Sequence, residues 1–127
     1  MIIRGRPDKQ KAKALRAMAD ITLSRLESTE QEKYPSNTLT DYYDILHKLM
    51  EARTLDDGVK IKGEGAHQQL IDFLANEKIY DEATRVFLQA MREYRNRIAY
   101  EGFIIPASYI KQNKERIQKI VKRLTAK

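Results

Sequence analysis

The chain has 127 residues, 33% of them charged and 42% hydrophobic, with a net charge of +6. It holds no cysteine, which excludes disulfide frameworks, thiolate metal sites and cysteine nucleophiles. No run approaches the roughly 18 apolar residues of a membrane span, and the start MIIRGRPDKQ has no secretory apolar core. A soluble cytoplasmic protein with one domain over residues 1–127 is expected, and no membrane partner.

Five amphipathic helices can be read in order, with almost no strand signal. The first runs from about Asp8 to Glu32, with Leu15, Met18, Thr22 and Leu26 at three- and four-residue spacing. Tyr34-Pro35 breaks it, because proline disfavours helix at the residue before it. Ser36 or Asn37 is then placed to cap a second helix, whose stripe is Leu39, Tyr42, Tyr43, Leu46, Leu49 and Met50. Asp57-Gly58 ends that helix, the glycine supplying a left-handed stop.

Val59 to Gly65 reads as a connector, followed by a short helix with Leu70, Ile71, Phe73 and Leu74 in the core. Asp81 caps a fourth helix carrying Ala83, Val86, Phe87, Ala90, Met91, Tyr94 and Ile98, and Gly102 stops it. In the last helix Ile110, Ile117, Ile120, Val121 and Leu124 fall within about 100° of arc, with the bases on the other side. Short links between such helices favour antiparallel neighbours. The expected fold is therefore all-α, an up-and-down bundle of four or five helices.

Charge is unevenly placed. From Ala107 onward there are seven bases (Lys111, Lys114, Arg116, Lys119, Lys122, Arg123 and Lys127) against the single acid Glu115, whereas the preceding residues are neutral overall. Such a helix either tracks phosphates in a salt-sensitive way or presents a solvated outer face. No aromatic residues are interleaved with these bases for stacking on single strands.

The two histidines call for different readings. His47 lies within the second helix, where a backbone or carboxylate partner is the ordinary role. His67 follows Gly63-Glu64-Gly65-Ala66 at a helix start, a place that favours anions, although a packing role at the bend is the alternative. Neither belongs to a His-Glu-x-x-His pattern, so no metal site and no cofactor is expected. The tyrosines Tyr42, Tyr43 and Tyr94 fit core or interface packing with the hydroxyl at the rim.

The densest cluster of functional residue types is Met91-Arg-Glu-Tyr-Arg-Asn-Arg-Ile-Ala-Tyr-Glu-Gly-Phe103. Arg92, Arg95 and Arg97 with Asn96 suit recognition of phosphates and base edges, because guanidinium is a bidentate donor and the amide both donates and accepts. The same arginines could instead pair with Glu93 and Glu101. Arg95 and Tyr100 lie about 140° apart on an ideal helix, so a joint site needs a distorted helix end or a second protomer.

Arg95-Asn96-Arg97-Ile98-Ala99-Tyr100 resembles the signature of the HEPN superfamily, small helical-bundle proteins of prokaryotes. The order of elements agrees. Gly-Glu-Gly-Ala-His67-Gln-Gln-Leu-Ile opens the third helix, and Arg-Asn-Arg-Ile-Ala-Tyr-Glu-Gly-Phe closes the fourth. With the stretch from Asp41 to Ala52, the similarity covers nearly the whole chain and looks like an archaeal branch.

The resemblance implies a homodimer whose two Arg-Asn motifs face a shared cleft. Many members are metal-independent endoribonucleases, often toxins paired with a small nucleotidyltransferase. Their motif is Arg, four to six residues, then His. Arg95 and Asn96 match its first half, but Tyr100, Glu101 and Gly102 occupy the positions open to the histidine. A histidine near its ordinary pKa can move the proton of a ribose 2′-hydroxyl, whereas tyrosine, at about 10, is a poor base at neutral pH.

The expected function is accordingly an HEPN-like RNA- or nucleotide-binding protein, a toxin-like component beside a nucleotidyltransferase. Arg95 would contact phosphate, Asn96 would orient it or the motif, and Tyr100 would supply a hydroxyl. Arg92, Arg97 and His67 would add nucleic-acid contacts. The alternatives are an active endoribonuclease with a modified acid–base pair, Tyr100 or His67 with Arg95, and a non-catalytic dimeric interaction module.

Overall fold

The computed structural model describes residues 1–126; Lys127, counted above among the terminal bases, lies outside the described residues. The chain forms an all-α bundle of α1 (Lys9–Glu27), α2 (Pro35–Asp56), α3 (Ala66–Asn76), α4 (Glu82–Glu101) and α5 (Ala107–Thr125). The expected helix order and fold class both stand. Two three-residue strands, β1 (Ile2–Arg4) and β2 (Val59–Ile61), are added to it.

The core is organised around α2. Eleven of its 22 residues are buried, among them Leu39, Tyr42, Tyr43, Leu46, Leu49 and Met50, and α1, α3, α4 and α5 all pack against it. A helix covered on so many sides must be apolar most of the way round, and α2 is. One apolar cluster joins residues of all five helices, and in α5 it takes in Ile110, Ile117, Ile120, Val121 and Leu124. That is the stripe expected of the last helix.

Several local expectations are corrected. Helix α1 ends at Glu27 rather than near Glu32. The hydroxyls of Ser28 and Thr29 donate to the carbonyls of Arg25 and Leu26, 2.8 Å away in each case, and so compete with helix continuation. Gln31 then folds back into the core, where its Nε2 donates to Leu26 O and its Oε1 accepts from the Tyr42 hydroxyl. The face of α1 turned to the bundle carries Ala12, Ala19 and Leu26, whereas Met18 is exposed. Alanine at the contact lets α1 lie close along α2.

Helix α2 begins without a side-chain cap. Tyr34 is the N-cap and Pro35 takes the first turn, where its missing N–H costs nothing. Ser36 instead accepts a 3.0 Å bond from the Ile105 N–H, tying α2 to the loop before α5. Asp81 caps α4 through the Thr84 N–H at 2.8 Å, and Gly102 closes it in the left-handed region, both as expected. On α4, Val86 is exposed and Leu88 is buried, because Phe87, Leu88 and Met91 form the inward face. In α3, Leu70, Ile71 and Leu74 are buried, and Phe73 packs at the core's edge.

The segment read as a plain connector contains β2, which pairs antiparallel with β1 in the register Ile2–Ile61, Ile3–Lys60 and Arg4–Val59. Gly5 N–H continues the ladder to Gly58 O at 2.8 Å. Strands of three residues are too short to leave an alternating pattern in the sequence. The crossing is tight at Gly58, which has φ +75°, and a Cβ there would stand 2.1 Å from the Gly5 carbonyl oxygen. Gly58→Ala therefore meets both left-handed strain and a backbone clash, and is expected to lower stability by about 2 kcal/mol or more. Chemical denaturation of the two proteins checks this; equal midpoints would contradict the tight crossing.

Candidate functional site

The inward face of α4 does not stay apolar to its end. Leu88 and Met91 are buried at 0% exposure, and one or two turns on the same side of the helix present Arg92 and Arg95 to the bundle. Both arginines are half-buried. Opposite them, α2 carries Tyr43, His47 and Glu51 at four-residue spacing, one line along the helix, with Asp44 beside it. Helix α3 contributes His67 in its first turn, after a left-handed Gly65.

These elements bring the two histidines together. Their rings stack with centroids 4.0 Å apart and planes 28° from parallel, and Tyr43 lies 6.3 and 6.4 Å from them. Burial holds His47 down at about 4, helped by His67 and by the positive charges of Lys48 and Arg95. His67 is also held below its ordinary value, by loss of solvent first and then by Arg95, with Arg92 acting the same way. Glu51 and Asp44 oppose this shift. Both imidazoles are thus kept neutral at pH 7, with the arginine charges within electrostatic reach.

Arg95 is only loosely engaged. Its guanidinium lies 4.0 Å from Asp44 Oδ1 and 3.5 Å from Asn96 Oδ1, and its Nε is buried with no hydrogen-bond partner among the described residues. The Tyr43 hydroxyl is in the same position, and burial pushes its pKa up to about 12. A buried donor without a partner costs about 1–3 kcal/mol. Arg92 donates through Nε to Gln89 Oε1 at 2.9 Å and lies 3.9 Å from Glu93.

The remaining sequence candidates lie elsewhere. Arg97 is exposed, with its guanidinium 3.9 Å above the Phe103 ring, a cation–π contact that fixes the loop after α4. Tyr100 is 81% exposed. Because α4 continues as a regular helix to Glu101, no distorted end brings Tyr100 round to Arg95 within one protomer. On α5, Arg116 lies over Phe87 at 4.2 Å and Arg123 donates to Ile79 O at 2.8 Å, so two of the terminal bases pack against the α3–α4 end of the bundle. Most of the others point to solvent.

His47 was the residue that sequence reasoning passed over. Its link to His67 spans 20 positions and has no signal in local spacing. The repeat of Tyr43, His47 and Glu51 at intervals of four was visible, and it marks a polar line on a helix that is otherwise apolar.

On its other side the histidine pair opens onto a cleft of about 290 Å³. Leu55, Val59 and Leu70 supply apolar walls, and Lys11, Lys60, Lys62 and Glu51 line it as well. Among the described residues no cluster of three or more His, Cys, Asp or Glu side chains is arranged to hold a metal ion. No helix among them is long and apolar enough to cross a membrane. Comparison with protein-family models, with curated proteins and with solved structures gives no match to the chain.

The depressed His47 value sets a pH dependence. In the unfolded chain a histidine takes up a proton near 6.5, but folded His47 resists it until about 4. Within that window the unfolded state binds more protons, so stability falls as pH is lowered, by about 3 kcal/mol in all from this group. His47→Phe keeps a ring in the stack and removes the titration. Urea denaturation at pH 7 and pH 4.5 is expected to show a shallower acid loss in the variant; an unchanged slope would place the titrating group elsewhere.

Proposed function

We propose that this chain is an HEPN-like protein that binds RNA or a nucleotide through Arg92 and Arg95. The observation that carries the reading is the placing of two half-buried arginines within electrostatic reach of a stacked pair of neutral histidines, half-buried His47 and exposed His67. Arg95 keeps an unpaired buried Nε, and Asp44 engages it only at 4.0 Å. Guanidinium groups presented in this way suit a phosphate, which accepts two parallel N–H bonds and tolerates partial burial better when paired. Asn96 beside Arg95 orients the guanidinium. The resemblance of Arg95-Asn96-Arg97-Ile98-Ala99-Tyr100 to the HEPN signature supports the same assignment. It carries with it a homodimer in the cytoplasm and a nucleotidyltransferase partner.

A second reading, a metal-independent endoribonuclease, is favoured by one electrostatic coupling. His67 is close enough to Arg95 for that charge to depress it, and the family's histidine is absent from its usual place after the arginine. A neutral imidazole beside a phosphate-binding arginine has the composition needed to accept the 2′-hydroxyl proton. In a dimer, Tyr100 of a second protomer would be the remaining hydroxyl near that cleft.

Labelled single-stranded and structured RNAs, incubated with the protein in EDTA, separate the two. Binding is expected to weaken by about tenfold or more in Arg95→Ala, the loss of a charged hydrogen-bond pair. Cleavage that disappears in both Arg95→Ala and His67→Ala would establish the second reading. Binding untouched by Arg95→Ala would overturn the phosphate role and leave the non-catalytic interaction module, for which the same variant should instead alter the dimer in light scattering.

A further inference from the structure

The cleft on the far side of the histidine pair is built differently from the arginine side. Its walls are apolar at Leu55, Val59 and Leu70, and the stacked imidazoles of His47 and His67 line it as well. Among the described residues lining it, Glu51 is the one carboxylate; Lys11 lies 4.0 Å from it, Nζ to Oε2, and Lys60 and Lys62 line the same cleft. At that separation the ion pair is loose and leaves both carboxylate oxygens able to accept from a ligand. Glu51 also lies within electrostatic reach of His67. A cleft with apolar walls and a few acceptor and donor groups, among them the Glu51–Lys11 pair, has the composition of a heterocycle site. Its volume, about 290 Å³, is small for a drug-sized ligand and suited to one ring system with its sugar.

The chemistry of the slot discriminates among bases. Guanine presents two neighbouring donors, N1–H and N2–H₂, to the two oxygens of a carboxylate, and its O6 faces an ammonium on the same edge. Adenine and cytosine would place a ring-nitrogen lone pair against Glu51. Uracil would offer one N–H flanked by carbonyl oxygens. We propose that the cleft formed by Lys11, Glu51, Leu55, His67 and Leu70 is a guanine-selective base subsite. This rests on the reading of Arg92 and Arg95 as the phosphate site, with the histidine pair lying between base and phosphate. Glu51 reads the N1–N2 edge, Lys11 donates to O6, and the apolar walls with the imidazoles enclose the ring.

Calorimetric titration of the full chain in EDTA with guanosine, and with the 5′-monophosphates of guanosine, adenosine, cytidine and uridine, tests the assignment. Guanosine monophosphate is expected to bind about tenfold tighter than the other three, the scale of one good bidentate base contact. Glu51→Gln should bring the four within about twofold of one another. Lys11→Ala, at an exposed position that the fold does not need, should weaken guanosine monophosphate by about threefold or more. Arg95→Ala should erase the advantage of guanosine monophosphate over guanosine while leaving guanosine binding in place. Four nucleotides that bind alike, insensitive to Glu51→Gln but weakened by Arg95→Ala, would overturn the guanine subsite and uphold the phosphate site. A guanine preference combined with a guanosine monophosphate affinity that Arg95→Ala leaves unchanged would uphold the subsite and count against the phosphate site. No binding of guanosine or its monophosphate would overturn the subsite, whatever RNA does.

Discussion

The arrangement depends on the burial of α2. Half of its residues are removed from solvent, and four other helices lean on it, so much of its surface is committed to apolar contact. Its polar residues engage several neighbours, Asp41 and Asp56 pairing with Arg25 and Arg16 of α1 and Ser36 accepting from the Ile105 N–H, and Tyr43, His47 and Glu51, with Asp44 alongside, form one further line. Helices α3 and α4 face it, and they bring His67 and the two arginines. The site forms where this line on α2 meets α3 and α4.

Electrostatics then gives the cluster its character. Two arginine charges bear on two partly desolvated imidazoles, and each arginine is countered by one acid at the edge of ion-pair range, Glu93 at 3.9 Å from Arg92 and Asp44 at 4.0 Å from Arg95. Protonating a histidine here would place a third positive charge in the group, so the rings stay neutral and stack face to face at 4.0 Å. On the proposed reading, an anion held by Arg92 and Arg95 would add negative charge to this group. The basic face of α5 is a different case. Its lysines are solvated, and its arginines Arg116 and Arg123 cover Phe87 and the Ile79 carbonyl, so that face is largely accounted for by packing and hydration.

How much of this was legible in the sequence varies with the range of the interaction. The α5 stripe, the Asp81 cap and the Gly102 stop are set by neighbours within one or two turns, and each was readable. The strand pair was not, since Ile2–Arg4 and Val59–Ile61 are too short to show periodicity and are joined through space at Gly5 and Gly58. Met18 and Val86 were placed on core faces because spacing alone cannot say where a helix face ends, and both are exposed. The functional cluster was half visible. Arg92, Arg95 and His67 stood out as residue types, but their meeting with His47 needs α2, α3 and α4 in place, a tertiary fact with no local trace. Tyr100, prominent in the sequence through its motif position, is on the outside of α4.

The central claim is that the ligand meets the protein at the arginine–histidine cluster rather than along the basic α5 helix. Imidazole and guanidinium NMR resonances, followed while a short non-cleavable RNA is added, test it most directly. The account predicts that His47, His67 and the Arg92 and Arg95 side chains shift together at low RNA, with both histidines titrating at higher pH once phosphate offsets the arginines. Shifts confined to residues of α5, with the histidine resonances unmoved, would contradict it.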